Sequence, residues 1–477
     1  KSTSLYYEMK EAINKSIMNK RLFLILSAFL LLFSLIEKGW TIETYRPETS
    51  VAGFIQLPGS GRQVYNFNPG WRFFKGDIRG AEYVDFDDCS WTIVSTPHTV
   101  ELMPAEASGC RNYQGPAWYR KHFVLPAETK GKQVLLHFEA AMGKQILYLN
   151  GKRIQEHIGG YLPFTLDLTA NGVQAGDSCL LAVFVDNSND KSFPPGKPQY
   201  TLDFAYHGGI YRDVWMIAKS PVSITDAIES QTIAGGGVFV HFDKISEKSA
   251  QVYVNTELQN KDQRSETVTV ETALTDTDGK VIRRASGKLS LKPGEKKTIR
   301  QQIEIKNPKL WSPDSPYLYR VQSRVKKGNQ SIDGGITRIG IRQAEFRGKD
   351  GFWLNGKPFG QLVGANRHQD FAYVGNALPN SQQWRDAKRL RDAGCTIIRV
   401  AHYPQDPAFM DACDELGMFV IVATPGWQYW NKDVKFGELV HQNTREMIRR
   451  DRNHPSVLMW EPILNETRYP LDFALKA

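Results

Sequence analysis

From about residue 338 onward, apolar runs alternate with stretches of helical spacing, and this alternation restricts the fold more than any other feature of the chain. "GQLVGANRH", "TIIRVAH", "MFVIVAT" and "SVLMW" read as strands. Between the first two, Ser381 to Ala393 carries Trp384, Ala387 and Leu390 on one helical face and runs into Gly394. Asp406 is placed to cap a second helix and Pro407 to open it. Phe409, Cys413 and Leu416 form its inner face, and Gly417 closes it. A more polar helix is expected from about Gly437 to Arg450. Strands that are apolar on both faces and separated by helices form a parallel sheet. There is no Gly-rich phosphate loop, so half of a (β/α)₈ barrel fits better than a dinucleotide-binding sheet. Half a barrel does not cover its own sheet. The chain is therefore expected to break off inside this domain at Ala477.

The preceding residues have a different rhythm. Residues 60–220 hold short β-rich runs such as "QVLLHFEAA", "KQILYLNGKRI" and "SCLLAVFVDN", with Asn150-Gly151 as a hairpin signal. Few helical periodicities interrupt them, which predicts a jelly-roll β-sandwich. Residues 221–337 alternate regularly. Val252, Val254 and Leu258 share a face, as do Val268, Val270 and Leu274, and Asp278-Gly279 turns the chain. An immunoglobulin-like sandwich is expected there. The fold class is thus multidomain, two β-sandwiches followed by α/β, and 477 residues accommodate about three such domains.

Residues 1–40 stand apart. Met18 to Arg21 is a short basic region, and Leu22 to Ile36 is an apolar run too short for a comfortable membrane span. That is the shape of an export signal, with an uncleaved anchor as the competing reading. Export to the periplasm or the medium is the expectation, with membrane contact only through this segment. The formal charge of +9 is otherwise spread thinly, and no basic stripe interleaves with aromatics, so nucleic acid is not an expected partner. Five cysteines lack any Cys-x-x-Cys pair, so no zinc or redox motif is present. Cys89 and Cys110 are candidates for a bridge, whereas Cys395 and Cys413 read as buried thiols.

Function in a barrel of this kind gathers at the C-terminal ends of the strands. Here the first strand ends in Asn366, Arg367, His368 and then Asp370, the second in Arg399, His402 and Tyr403, and the fourth in Asn465 and Glu466. Arginine, imidazole, amide and carboxylate together equip a polar-substrate site, and a carboxyl in a dry pocket can act as a general acid. The third strand ends in "ATPGWQYW", where Trp427, Tyr429 and Trp430 form either a wall of the site or plain packing. Each polar residue has its structural alternative. Arg367 and Arg399 can pair with inner carboxylates, and His454 can cap the turn before the last strand.

Taken together, these segments resemble glycoside hydrolase family 2. "RNHPSVLMWEPILNE" looks like the family's acid/base signature, and "RVAHYPQDPAFMDACDELGMFVIV" like its second. "GGIYRDV", "FDDCSW…TPH" and "GANRHQD" are also similar to familial segments, and the domain order matches. The resemblance implies that Glu466 is the general acid/base and that Asn465 contacts the sugar 2-hydroxyl. It also implies that His402 lines the sugar pocket, that Asp203 reaches in from the jelly roll and that Asp370 contacts sugar hydroxyls. The family retains anomeric configuration, so a second carboxylate must act as nucleophile, and it is expected beyond Ala477.

Some positions depart from the pattern. Thr396 and Val400 differ from the residues usual around His-Tyr-Pro, and Glu461 stands where Gly or Ser is usual. Glu461 is therefore a rival acid, weaker because the amide neighbour Asn465 flanks Glu466. The third strand lacks the acidic residue used for magnesium in some β-galactosidases, so no metal and no cofactor is expected. The resemblance implies an exo-β-glycosidase acting on terminal β-linked sugars of glycans, with β-galactosides as the expected substrates. Alternatives are a β-glucuronidase, another specificity of the family, or an inactive carbohydrate-binding relative. The sugar linkage and the oligomeric state are not legible.

Overall fold

Strand alternation and hairpin turns build the first two thirds of the fold. The computed structural model describes residues 55–103, 112–464 and 467–477. Cys110, Asn465, Glu466 and the basic-apolar segment before residue 40 therefore lie outside the described residues. Among those described, no helix is long and apolar enough to cross a membrane.

The jelly roll is a sandwich of two antiparallel sheets. One has four strands in the order Gln63–Asn66, Val214–Lys219, Gln133–Phe138 and Phe164–Asp167. The other has six, with Pro116–Val124 and Ser178–Asp186 at its centre. Their inner faces meet in a core that includes Trp71, Tyr119, Leu136, Phe138, Leu147, Leu181 and Val183. The expected hairpin is present: Asn150 (φ 50°) and Gly151 (φ 82°) join Gly143–Leu149 to Lys152–Gly159. Positive φ at both turn positions is what an Asn-Gly pair tolerates and most residues do not.

The second sandwich follows the expected alternation. Ser249–Asn260 pairs with Val238–Asp243 on one side and Lys296–Lys306 on the other. Val281–Leu291, Glu266–Thr275, Tyr319–Lys327 and Gln330–Ile339 form the facing sheet. Val252, Val254 and Leu274 are buried between the sheets, and Val268, Val270 and Leu258 fill a second cluster.

A small antiparallel sheet over residues 344–358 precedes the α/β part. There, four parallel strands lie in sequence order: β1 (Gly364–Arg367), β2 (Ile397–Val400), β3 (Phe419–Ala423) and β4 (Val457–Glu461). Helices α1 (Asn380–Asp392), α2 (Pro407–Leu416) and α3 (Val434–Asp451) connect them, and α4 (Leu471–Lys476) follows. Ile398, Val400, Val420, Val422 and Val457 face the helices, against Phe409, Cys413 and Met447. The fold class is the one expected, two sandwiches and a barrel-type βα array.

Local details differ. β1 is limited to the second half of the apolar run. Helix α3 starts three residues before Gly437, because Asp433 caps it, accepting from Lys435 N at 2.9 Å. Cys413 is buried as expected, but Cys395 is only partly so, and Cys89 is an exposed free thiol.

Candidate active site

The site is built where β1, β2 and β3 end. Parallel register places Asn366 beside Arg399 on one face of the sheet and Arg367 beside Val400 on the other. This alternation corrects the expectation for Arg367. Its side chain is buried on the helix side: Nε donates to Asp386 at 2.5 Å and Nη2 to Gln383 at 2.9 Å. Nη1 donates to Gln405, and the guanidinium lies 3.9 Å from the Phe409 ring centroid. All three nitrogens are held by protein partners, so Arg367 braces the sheet against α1 and α2 and does not face the mouth.

Arg399 occupies the open face. It grips Glu461 of β4 through two hydrogen bonds, Nε to Oε2 at 2.8 Å and Nη2 to Oε1 at 2.6 Å. The rival carboxylate is thus one half of a bidentate ion pair across the strand ends.

His402 follows β2 after a cis peptide from Ala401. Its ring stacks on Trp427, centroids 5.1 Å apart and planes 3° from parallel. Burial, reinforced by Arg399, His368 and Lys197, pushes its pKa down to about 3. His402 is therefore a neutral imidazole at ordinary pH, and its Nδ1 is buried without a hydrogen-bond partner among the described residues. A neutral ring of this kind can donate or accept one hydrogen bond to a sugar hydroxyl. Of the three aromatics after β3, only Trp427 joins this group. Tyr429 and Trp430 pack instead with Phe436, Tyr469 and Phe473.

Asp370 is half-buried, with Oδ2 3.8 Å from His207 Nε2. Burial raises its pKa, but the neighbouring imidazoles of His207 and His368 outweigh this and hold it below the ordinary range, so it is an anion. Asp203 is exposed, and its charge is felt at His368. Its neighbour Phe204 carries the jelly roll into the mouth. That ring stacks on His368 at 4.8 Å and lies 5.6 Å from Tyr403 and 6.0 Å from His402.

Sequence reading missed Phe204, His207 and Lys197. For Phe204 and His207 the available signal was an aromatic-rich loop, "DFAYHGG", directly before a motif that docks domains. In that motif, fully buried Arg212 donates to Tyr161 O (3.1 Å), Gln369 Oε1 (2.9 Å) and Pro404 O (2.8 Å). Asn465 and Glu466 were also predicted here and lie outside the described residues.

Two other polar groupings sit elsewhere. Asp411, Asp414 and His454 bring ligand-type atoms within 4.8 Å of one another, but Asp414 accepts from His454 Nδ1 at 2.6 Å and Asp411 pairs with Arg338. They lie at the N-terminal side of β4, away from the strand ends, and tie α2 to that strand. A cavity of about 180 Å³ borders them where the three parts of the fold meet. Its charged lining is largely paired, as in Arg62–Asp333 (2.8 Å) and Arg450–Asp451 (2.7 Å). We therefore place the candidate chemistry at the strand ends.

The comparisons agree with this architecture. Three family models match in series: "Glycosyl hydrolases family 2, sugar binding domain" over residues 81–221, "Glycosyl hydrolases family 2" over 232–342, and "Glycosyl hydrolases family 2, TIM barrel domain" over 346–475. A β-galactosidase of Thermoanaerobacter pseudethanolicus is 36% identical over 87% of this chain and 53% of the relative. A β-glucuronidase of Formosa agariphila is 32% identical over 85% of this chain and 42% of the relative. The crystal structure of a Bacteroides uniformis β-glucuronidase superposes with a TM-score of 0.76 at 32% identity, covering 84% of this chain and 46% of that one. The chain thus spans about half the length of the relatives it matches. With all three domains matched in order on a shared fold, the chain belongs to glycoside hydrolase family 2.

Proposed function

We propose that the protein hydrolyses terminal β-linked sugars with retention of configuration, and that Glu466 is its general acid/base. The observation that supports this most is the composition of the strand-end mouth. A neutral His402 stacked on Trp427, the anionic Asp370 and the jelly-roll loop carrying Asp203 and Phe204 all meet there. Neutral imidazole and ionised carboxylates are suited to hold hydroxyl groups, and flat rings are suited to a sugar face. In the proposed cycle, Glu466 protonates the glycosidic oxygen as a second carboxylate attacks the anomeric carbon, and it then takes a proton from the water that releases the sugar. Asn465 would hold the 2-hydroxyl. A β-galactoside is the first substrate to try. The β-glucuronide reading is favoured by a separate observation, the ammonium of Lys197 beside Trp427.

The test is hydrolysis of aryl β-galactoside, β-glucuronide, β-mannoside and β-glucoside by the full-length polypeptide that contains these residues. Turnover of one class is expected. Glu466→Gln should cost about 10²-fold or more on a disaccharide and much less in the first step on an activated aryl glycoside. Unchanged disaccharide turnover by Glu466→Gln would overturn the assignment and turn attention to Glu461.

A further inference from the structure

We propose that Tyr373, with Phe371 beside it, is an aromatic platform for the sugar ring on the leaving-group side of the bond to be cleaved. The proposal rests on the reading above that a terminal sugar binds at the strand-end mouth.

The two residues belong to a hairpin that grows directly out of the mouth. Phe371 follows Asp370 in the chain. Phe371 N donates to Gly375 O at 3.0 Å, and Gly375 N donates to Phe371 O at 2.9 Å, so residues 372–374 form a tight loop. The base of the hairpin is wedged against the jelly roll. His207, whose Nε2 is 3.8 Å from Asp370 Oδ2, also covers Gly375, and a Cβ on that glycine would collide with the imidazole. The tip is held as well. Tyr373 N donates to Met103 O, and Met103 N donates to Tyr373 O at 3.0 Å. Met103 lies on a jelly-roll segment that is itself fixed, with Val100 N donating to Gly208 O at 3.0 Å.

This double bridge holds Tyr373 at a φ of 72°. Glycine and asparagine take left-handed backbone readily, whereas a bulky aromatic does so only where its surroundings impose it. Packing of the ring would be the ordinary compensation. Here the residue is 59% exposed, and Phe371 is 41% exposed. Among the described residues neither ring enters a hydrogen bond or an aromatic contact. A strained, doubly anchored backbone thus presents rings that the fold itself does not use.

Their place in the mouth points to the occupant. Asp370 is half-buried and the two aromatics after it are exposed, so the hairpin runs from the pocket outward to its rim. A terminal sugar held at Asp370 and His402 leaves the next ring of the glycan at that rim. A pyranose offers C–H groups on its faces, which suit a flat aromatic surface, and keeps its hydroxyls at the edge for water. An anchored tip has little freedom left to lose when such a ring docks.

The test is isothermal titration calorimetry on the full-length protein with ligands whose sulfur linkage resists cleavage. They are S-linked disaccharides ending in each of the four sugars named above, and the methyl 1-thio-β-glycosides of the same sugars. For the sugar that binds, wild type is expected to hold the disaccharide more tightly than the methyl glycoside. Tyr373→Asn removes the ring but keeps a residue that accepts the left-handed backbone, and Tyr373→Gly replaces it if that variant does not fold. The variant should weaken the disaccharide about fivefold or more and leave the methyl glycoside within about twofold. Tyr373→Phe should restore most of the loss.

Equal weakening of both ligands would mean that Tyr373 only holds the hairpin, and it would overturn the proposal. So would unchanged affinities, a wild type that binds the disaccharide no more tightly than the methyl glycoside, or no saturable binding of any ligand. A wild-type dimer that Tyr373→Asn dissociates without changing the affinities would assign the rings to a second copy of the chain instead. Because the readout is equilibrium binding, absent turnover of the oxygen-linked sugars would count against the hydrolase reading and not against the platform.

Discussion

His454 shows how a side chain in a catalytic-looking signature can have a structural task. It sits in the run that resembles the acid/base motif, yet its Nδ1 bonds Asp414 Oδ2 at 2.6 Å, and Asp414 Oδ1 accepts from Ser456 N at 3.0 Å. Burial opposes its charge, but the contact with Asp414 overrides this and holds its pKa up at about 9. The raised folded-state value means that the native state binds the proton more tightly than the unfolded chain does. The stabilisation is therefore complete below about pH 6.5 and is lost as pH rises through about 9, amounting to about 3 kcal/mol. Urea midpoints of wild type and His454→Gln should differ clearly at pH 6 and converge by pH 9.5. Arg367 carries the complementary lesson. It was legible as part of a polar strand end, but its direction follows from period-two alternation, which puts Asn366 and Arg367 on opposite faces. Applied strictly, that rule separates the mouth residue from the brace on sequence alone.

The same distinction between local signal and outcome recurs among the helices. Helix α2 begins and ends as its sequence dictates: Asp406 Oδ1 accepts from Ala408 N at 2.8 Å, Pro407 occupies the first turn, and Gly417 closes it at φ 69°. These signals are local, acting within one or two turns, and so they are readable. What the sequence does not announce is that Gly417 also touches the second sandwich, where a Cβ would fall 2.2 Å from Pro313 O. Gly417→Ala should therefore cost on the order of 2 kcal/mol or more, above the penalty for a left-handed residue alone. Thermal unfolding would check this, and a loss under 0.5 kcal/mol would show that the Pro313 loop moves aside. The early start of α3 is likewise local. Asp433 caps it by accepting from Lys435 N, and Phe436 in its first turn packs against Trp430 and in one apolar cluster with Phe473.

Arg212 ties the jelly roll to the βα array. It is fully buried, donates to jelly-roll and barrel acceptors, and stands 3.8 Å from Asp406. Tyr161 of the jelly roll also stacks on Tyr403, ring centroids 4.0 Å apart. Arg212→Ala would leave buried acceptors and a buried carboxylate without their cation, at a cost of roughly 3–5 kcal/mol. It should lower the urea midpoint and, in an active full-length protein, reduce kcat/KM, since Asp203 and Phe204 lie on the same docked segment. A midpoint within error of wild type would show that the stacked tyrosines suffice. The sequence by itself determined the two alternating sandwiches, the parallel βα array and the strand ends where polar residues gather. Those properties depend on periodicities and caps only a few residues long. Only the tertiary structure decided that Phe204 and Lys197 stand at the mouth. The reason is separation: Arg212 meets Pro404 across 192 residues, and Lys197 meets Gln428 across 231. Pairings over such distances depend on which surfaces pack together, and no local pattern in the chain encodes that.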